Sequence, residues 1–315
     1  MTMATARVEH EITVSAHARD VYDLLANAVE WPRVFPPTVH VEQLERGEGT
    51  ERLRIWATAH GDVRDWTSRR TLDADALTIT FRQEVSPAPV EFMSGGWIVE
   101  PLSADECRVR LLHEFRAIDD DPDDLARISA AVDANSRSEL ASLKSTAEFA
   151  VSARDLTFSF ADSLHVNGSA DQAREFIRDA ARWPDRLPHV ASVDLTELPD
   201  GVQTLEMRTR SHDGSTHTTR SHRVCLPDKI AYKQVTLPAS LVAHTGCWTF
   251  EPDGDGVLVT SHHSVVISRN AITEVLGPDG DAASARKLVR DALGGNSRAT
   301  LQHAKQHVEQ QAEAA

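Results

Sequence analysis

A chain of 315 residues with 41% apolar and 26% charged side chains has the composition of a globular protein, long enough for two domains that each bury a core. A formal net charge of -15 without a long basic run excludes a protein that tracks nucleic-acid phosphates. Three scattered cysteines, an N-terminal stretch interrupted by Glu9, Glu11, Asp20 and Asp23, and no apolar run of about 18 residues point to a cytoplasmic protein, with no disulfide framework, export signal or membrane span.

The first element is "VEHEITVSA" at 8–16, which alternates like a half-buried strand. "RDVYDLLANAVEWP" follows, with Val21, Leu24, Leu25 and Val29 at helical spacing and a stop at proline. Strand-like segments at 38–46, 51–60, 62–73, 76–85, 94–101 and 106–117 come next, separated by turn signals that favour antiparallel neighbours. A long helical pattern through Leu125, Ile128, Val132 and Leu140 then begins at Asp121 and Pro122, suited to N-cap and first helical position. The same order starts again, and Ser169 with Gln172 has the spacing of a capping box.

The second half repeats the first. "VEWPRVFP" at 29–36 returns as "ARWPDRLP" at 181–188, a shift of 152, and "SPAPVEFMSGGWIVEP" at 86–101 returns as "LPASLVAHTGCWTFEP" at 237–252, a shift of 151. "NSR" at 135–137 recurs at 296–298, the wider shift reflecting extra residues around "LGPDGDAASA" at 276–285. Two homologous α+β domains, 1–153 and 154–315, are expected. Each would curve an antiparallel sheet around its last helix and leave an interior pocket, the usual setting for a small molecule.

Within "DWTSRR", period two puts Trp66, Ser68 and Arg70 on one strand face, with Arg64 two residues earlier. The second copy carries Thr219, Ser221 and Arg223 there. A buried guanidinium brings five donors and a fixed charge, so either an oxygen-rich ligand or a carboxylate of the sheet must satisfy it. His113 in "LLHEF" and His263 in "SHHSV" sit at matched places on a late strand, as satisfied core residues or as bases. Trp31 and Trp183 recur at a Trp-Pro corner that suits closing the helix onto the sheet, Trp97 and Trp248 recur at a strand start, and Trp66 belongs to the first copy alone and offers a flat pocket wall. No G-x-S-x-G, G-x-G-x-x-G, P-loop or H-E-x-x-H pattern occurs, and "DDDPDD" at 119–124 lacks the glycine and final glutamate of a calcium loop.

Taken in order and twice over, "WPRVF", "DWTSRR", "GGWIVEP", "LLHEF" and "NSR" resemble the di-domain aromatase/cyclases of bacterial type II polyketide synthases, in the helix-grip superfamily of START and Bet v1-like folds. The resemblance implies a pocket between sheet and long helix for a ketoreduced poly-β-ketone tethered to an acyl carrier protein, working with other synthase components and needing no cofactor or metal. It implies catalytic roles for Arg70, His113 and Ser68, a substrate pocket formed by Trp31, Phe35, Trp66, Arg69 and Trp97, and second-domain equivalents in Ser221, Arg223, His263 and Trp248. The reaction implied is a first-ring aldol closure between carbons seven and twelve followed by dehydration. Where some single-domain members carry a pocket tyrosine, this chain has Thr38 and Val190, which disfavours a phenol-dependent mechanism. The same fold also carries lipids without chemistry, so a binding protein for a hydrophobic oxygenated ligand is the rival reading. "ARKLVR" at 285–290 is the candidate carrier-docking patch.

Overall fold

The computed structural model describes residues 5–59, 61–210, 214, 216–277 and 280–313. Its chain divides into two compact units, Met1–Arg154 and Asp155–Ala315. The last residue of the strand expected at 51–60, His60, lies outside the described residues, as do residues 278 and 279 of the inserted stretch.

The first unit begins with β1 (Ala6–Val14), then α1 (Ala18–Ala26) and the one-turn α2 (Trp31–Val34). Six strands follow as an up-and-down meander: β2 (Thr38–Arg46), β3 (Thr50–Ala59), β4 (Asp62–Asp73), β5 (Thr78–Val85), β6 (Val90–Pro101) and β7 (Cys107–Ala117). The 32-residue α3 (Pro122–Ala153) closes the unit. All seven strands form one antiparallel sheet in the order β1-β7-β6-β5-β4-β3-β2, so the first strand pairs with the last and α1 and α2 cross between the two edges.

Local chemistry explains the boundaries. The Asp121 carboxylate accepts hydrogen bonds from the backbone N–H groups of Asp123 and Asp124, satisfying two donors that the first turn of α3 leaves unpaired. Ile128, Val132, Leu140, Leu143 and Ala147 form the buried stripe of that helix, laid against β1 and β7. β5 starts two residues later than expected because the Asp73 side chain accepts from the N–H groups of Asp75 and Ala76, folding those residues into a turn.

The second unit repeats this plan with β8 (Thr157–Val166), α4 (Ala170–Arg178), α5 (Trp183–Arg186), β9 (Val190–Glu197), β10 (Val202–Arg210), β11 (Thr216–Cys225), β12 (Lys229–Thr236), β13 (Leu241–Asp253) and β14 (Gly256–Ile267). The extra residues of this copy include α6 (Arg269–Leu276), and α7 (Ala282–Glu313) is the second long helix. Its sheet order, β8-β14-β13-β12-β11-β10-β9, matches that of the first unit. Ser169 and Gln172 form a reciprocal capping box at the start of α4. Each unit is thus α+β, with its own hydrophobic core between sheet and long helix.

Candidate active site: a cavity in the first domain

A cavity of about 500 Å³ lies inside the first unit, between the inner face of the sheet and α3. The register explains which side chains reach it, because directly opposed residues of antiparallel strands point to the same side. One transverse row runs Glu51, Arg70, Phe81, Gly95, His113, each paired with the next across β3, β4, β5, β6 and β7. The next inner row pairs Leu53, Ser68 and Gln83, and beyond it Ile55 opposes Trp66. Trp66, Ser68 and Arg70 therefore share the inner face, as period two predicts, and all three line the cavity.

Gly95 makes this row work. A Cβ there would sit 2.5 Å from the Phe81 ring and 2.1 Å from the Leu112 carbonyl oxygen, so only glycine lets Phe81 lie across the strand beside His113. The Phe81 and His113 rings meet edge to face at 5.5 Å.

Arg70 is almost completely buried. Its Nε donates to Glu51 Oε1 at 2.6 Å and its Nη2 to the same oxygen, while Nη1 and Nη2 donate to the carbonyls of Leu25 (2.9 Å) and Ala26 (2.8 Å). Four of its five N–H groups are thus engaged within the protein. A sheet carboxylate, Glu51, thus satisfies the buried guanidinium. Because Leu25 and Ala26 are the last residues of α1, the guanidinium also caps the negative end of that helix and ties it to the sheet. The Trp31 indole N–H donates to the Leu25 carbonyl as well, and its ring lies 4.7 Å beneath the guanidinium carbon. Phe35 meets Trp31 edge to face and stacks on Trp97 at 6.2 Å, completing an aromatic floor.

Ser68 donates to the Arg82 carbonyl at 3.2 Å, which leaves its oxygen free to accept. His113 Nδ1 lies 3.4 Å from Ser136 Oγ on α3, and burial, helped by nearby His10, lowers its pKa to about 4. The imidazole is accordingly neutral at pH 7. Thr38, at the position of the missing tyrosine, also lines the cavity.

One expectation is corrected. Arg69 does not enter the cavity: it alternates to the outer face, where it pairs with Glu84 (3.1 Å) and Glu45 (3.3 Å). Arg64 shares the parity of Arg70 but sits exposed toward the strand end and does not line the cavity. In "ARKLVR", Lys287 is paired with Asp291, Arg290 with Asp162, and Arg286 stacks over Phe158, so these charges have partners within the domain. Glu51, Phe81, Gln83, Met93 and Glu139 are site residues that the sequence reading did not single out. Glu139 lines the cavity from α3, and burial without a compensating charge raises its carboxyl pKa to about 7.

The second unit keeps the row and changes its chemistry. Gln203, Arg223, Tyr232, Gly246 and His263 are the successive cross-strand partners. Arg223 again caps a helix, donating to the carbonyls of Ile177 and Arg178 at the end of α4, and it lies 5.2 Å above Trp183. Among the described residues no carboxylate pairs with it, since Gln203 stands where Glu51 does. Tyr232 replaces Phe81, and its hydroxyl contacts His263 Nδ1 (3.0 Å) and His244 Nε2 (3.4 Å). Ser261 and Ser297 bond the other His263 nitrogen, and Gln234 bonds His244. Ser221 is buried beside Leu205, as Ser68 is beside Leu53, and Trp248 is buried in the core. The matched positions that are apolar in the first cavity are therefore polar and mutually bonded here.

No three His, Cys, Asp or Glu side chains gather in a metal-holding cluster among the described residues. No described helix is long and apolar enough to cross a membrane.

A doubled helix-grip domain with an arginine, a histidine and an aromatic floor in one cavity defines a recognisable class. The family described as polyketide cyclase/dehydrase and lipid transport matches the chain twice, over residues 5–148 and 157–309, and the chain belongs to it. It is 46% identical over 300 residues to the granaticin polyketide synthase bifunctional cyclase/dehydratase of Streptomyces violaceoruber, covering 95% of this chain and 93% of that protein. The actinorhodin counterpart of Streptomyces coelicolor is 46% identical over 309 residues, covering 95% of each. Among solved structures, the di-domain ARO/CYC BexL from the BE-7585A biosynthetic pathway superposes with a TM-score of 0.90 at 52% identity, covering 96% of this chain and 99% of that one. StfQ from the steffimycin pathway gives 0.87 at 35% identity, covering 97% and 99%. The chain is an enzyme of the cyclase/dehydratase kind, similar along nearly its whole length to proteins of polyketide synthases.

Proposed function

We propose that the first domain folds a ketoreduced poly-β-ketone, delivered on an acyl carrier protein, closes its first ring by an intramolecular aldol between carbons seven and twelve, and removes water to aromatise that ring. The observation that carries this reading is the single cavity wall on which Arg70, Ser68, His113 and an aromatic floor converge. A space of about 500 Å³ suits a folded chain of this kind, and holding the two reacting carbons together replaces a large entropic barrier.

The geometry supports a role for each residue. Trp31, Phe35, Trp66 and Trp97 give flat apolar surfaces that favour the planar, partly enolised chain. Arg70 keeps one N–H of Nη1 free of protein partners, and that donor stabilises the developing enolate oxygen. The Ser68 oxygen accepts from a substrate hydroxyl. Neutral His113 is the base that removes the proton next to a carbonyl. In the second domain, Arg223, Ser221 and His263 hold their core together and do not form a second copy of this site.

The test is reconstitution of the full chain with a synthase, carrier protein and ketoreductase, reading products by mass spectrometry. Addition of the enzyme should replace shunt products with the first-ring aromatic. A chain retained unaltered in complex with the protein would instead support a carrier, and an unaffected product spectrum would sink the reading altogether.

A further inference from the structure

Among the described residues four charged or titratable side chains line the cavity, and three are accounted for. Arg70 is paired with Glu51, Arg127 with Asp124, and His113 touches Ser136. Glu139 is different: among the described residues it has neither a hydrogen-bond nor an ion-pair partner. Its position is not incidental, because it follows Ser136 by three residues on α3 and therefore projects from the same side as the residue that contacts His113. Part of its surface stays accessible because it faces the void, while protein encloses it otherwise.

The second copy shows that the helix itself does not need this carboxyl. In the register set by the recurring Asn-Ser-Arg, Thr300 stands at the place of Glu139, and its hydroxyl bonds back to the Asn296 carbonyl at 3.0 Å. At this helix position the acid belongs to the first copy, and among the described residues it is left there without a partner. Burial raises its pKa to about 7 and lowers that of His113 to about 4, so near pH 7 about half of the Glu139 carboxyls keep their proton while His113 is neutral in the same cavity.

We propose that Glu139 is a catalytic proton donor, delivering its carboxyl proton to the hydroxyl that departs in the dehydration step. This rests on the ring-closing reading above. His113 takes a proton from the carbon next to the carbonyl, and the electron pair of that C–H bond becomes the new C=C bond. The C–O bond breaks, the Glu139 proton joins the departing oxygen, and one water leaves. Proton transfer from the histidinium back to the carboxylate, through that water, restores both groups, so no co-reactant is required.

Glu139→Gln and Glu139→Asp in the full chain test this. In the reconstituted synthase with ketoreductase, the Gln variant should accumulate ring-closed alcohol, heavier than the aromatic product by each water it fails to lose. Its dehydration rate should fall by roughly 10²-fold or more, with partial recovery in the Asp variant. The wild-type rate should decline above pH 7 and the Gln variant should lack that limb. Infrared titration of the free protein, which needs no substrate, should show a protonated-carboxyl band lost with a midpoint of about 7 and missing in the variant. Equal dehydration and an unaltered pH profile in Glu139→Gln, or no such band, would overturn the proposal while leaving ring closure standing. A wild-type enzyme that closes no ring would instead remove the functional reading first.

Discussion

Glu51 and Arg70 face each other across β3 and β4 as a buried ion pair, and at the same point of the second sheet Arg223 faces Gln203. One row of two homologous sheets therefore holds its guanidinium with a charge in one case and without it in the other. Glu51 satisfies both oxygens, since Gln43 donates to Oε2 at 2.5 Å. Replacing Glu51 with Gln should leave Arg70 charged and uncompensated, lowering stability by about 3–5 kcal/mol, as breaking one side of a buried pair does. Urea unfolding followed by tryptophan fluorescence measures it; a loss below about 1 kcal/mol would mean that the helix-end carbonyls alone suffice, as they do for Arg223.

Trp66 offers a cleaner separation of function from folding. It is only half-buried, packing against Ala28, Val41, Leu53 and Ile55 at the edge of the cavity. Changing it to Thr, the residue at position 219, should cost under about 2 kcal/mol because partly exposed apolar surface is removed. Product analysis should nevertheless show more shunt product and less aromatic ring. An unchanged product ratio would mean that the wall formed by Trp31, Phe35 and Trp97 is sufficient.

Acid should weaken the second domain through its histidine network. Burial lowers His244 to about 3 and His263 to about 4, both below the ordinary 6.5. The folded form then binds fewer protons than the unfolded form, so this contribution is complete above pH 6.5 and is lost as pH falls toward 3. The slope is at most about 1.4 kcal/mol per pH unit for each histidine. Denaturant curves between pH 7.5 and 4.5 would show it, and His244→Met, importing the residue of the first copy, should flatten that slope.

Glu139 gives a slope of opposite sign. Its folded pKa is above the ordinary carboxyl value, so the folded form holds its proton more tightly and stability falls as pH rises from 4.5 to about 7. Glu139→Gln should therefore match the wild type at pH 4.5 and exceed it at pH 8, by on the order of 1–3 kcal/mol. Melting temperatures at the two pH values decide it; equal gains at both would show a packing effect and not a titration.

Much of this architecture was legible because it rests on short-range rules. Alternation placed Trp66, Ser68 and Arg70 inward, and the same parity, applied one residue further, sends Arg69 outward to Glu45 and Glu84. The family resemblance implies a pocket place for Arg69, but strand geometry overrides it. Glu51 could not be read as the partner of Arg70, since the pairing depends on the register of β3 against β4 over 19 residues. Glu139 carries no motif. Its signal is positional, a carboxyl one helical turn beyond Asn135 and beside the buried stripe of Ser136 and Leu140, and it becomes informative only when the cavity and Thr300 are both in view.

The repeated row, with Gly95 and Gly246 holding Phe81 and Tyr232 across the sheet, separates the frame from its contents. Strand order, the tryptophan corner and the inner Ser, Arg, Gly and His recur, while Glu51, Phe81 and Trp66 give way to Gln203, Tyr232 and Thr219. The molecule thereby contains its own experiment in substitution: each inner residue of one half is an already accommodated choice for the other. Exchanging such residues between the halves offers a route to reshaping the chamber for chains of different length without redesigning the scaffold around it.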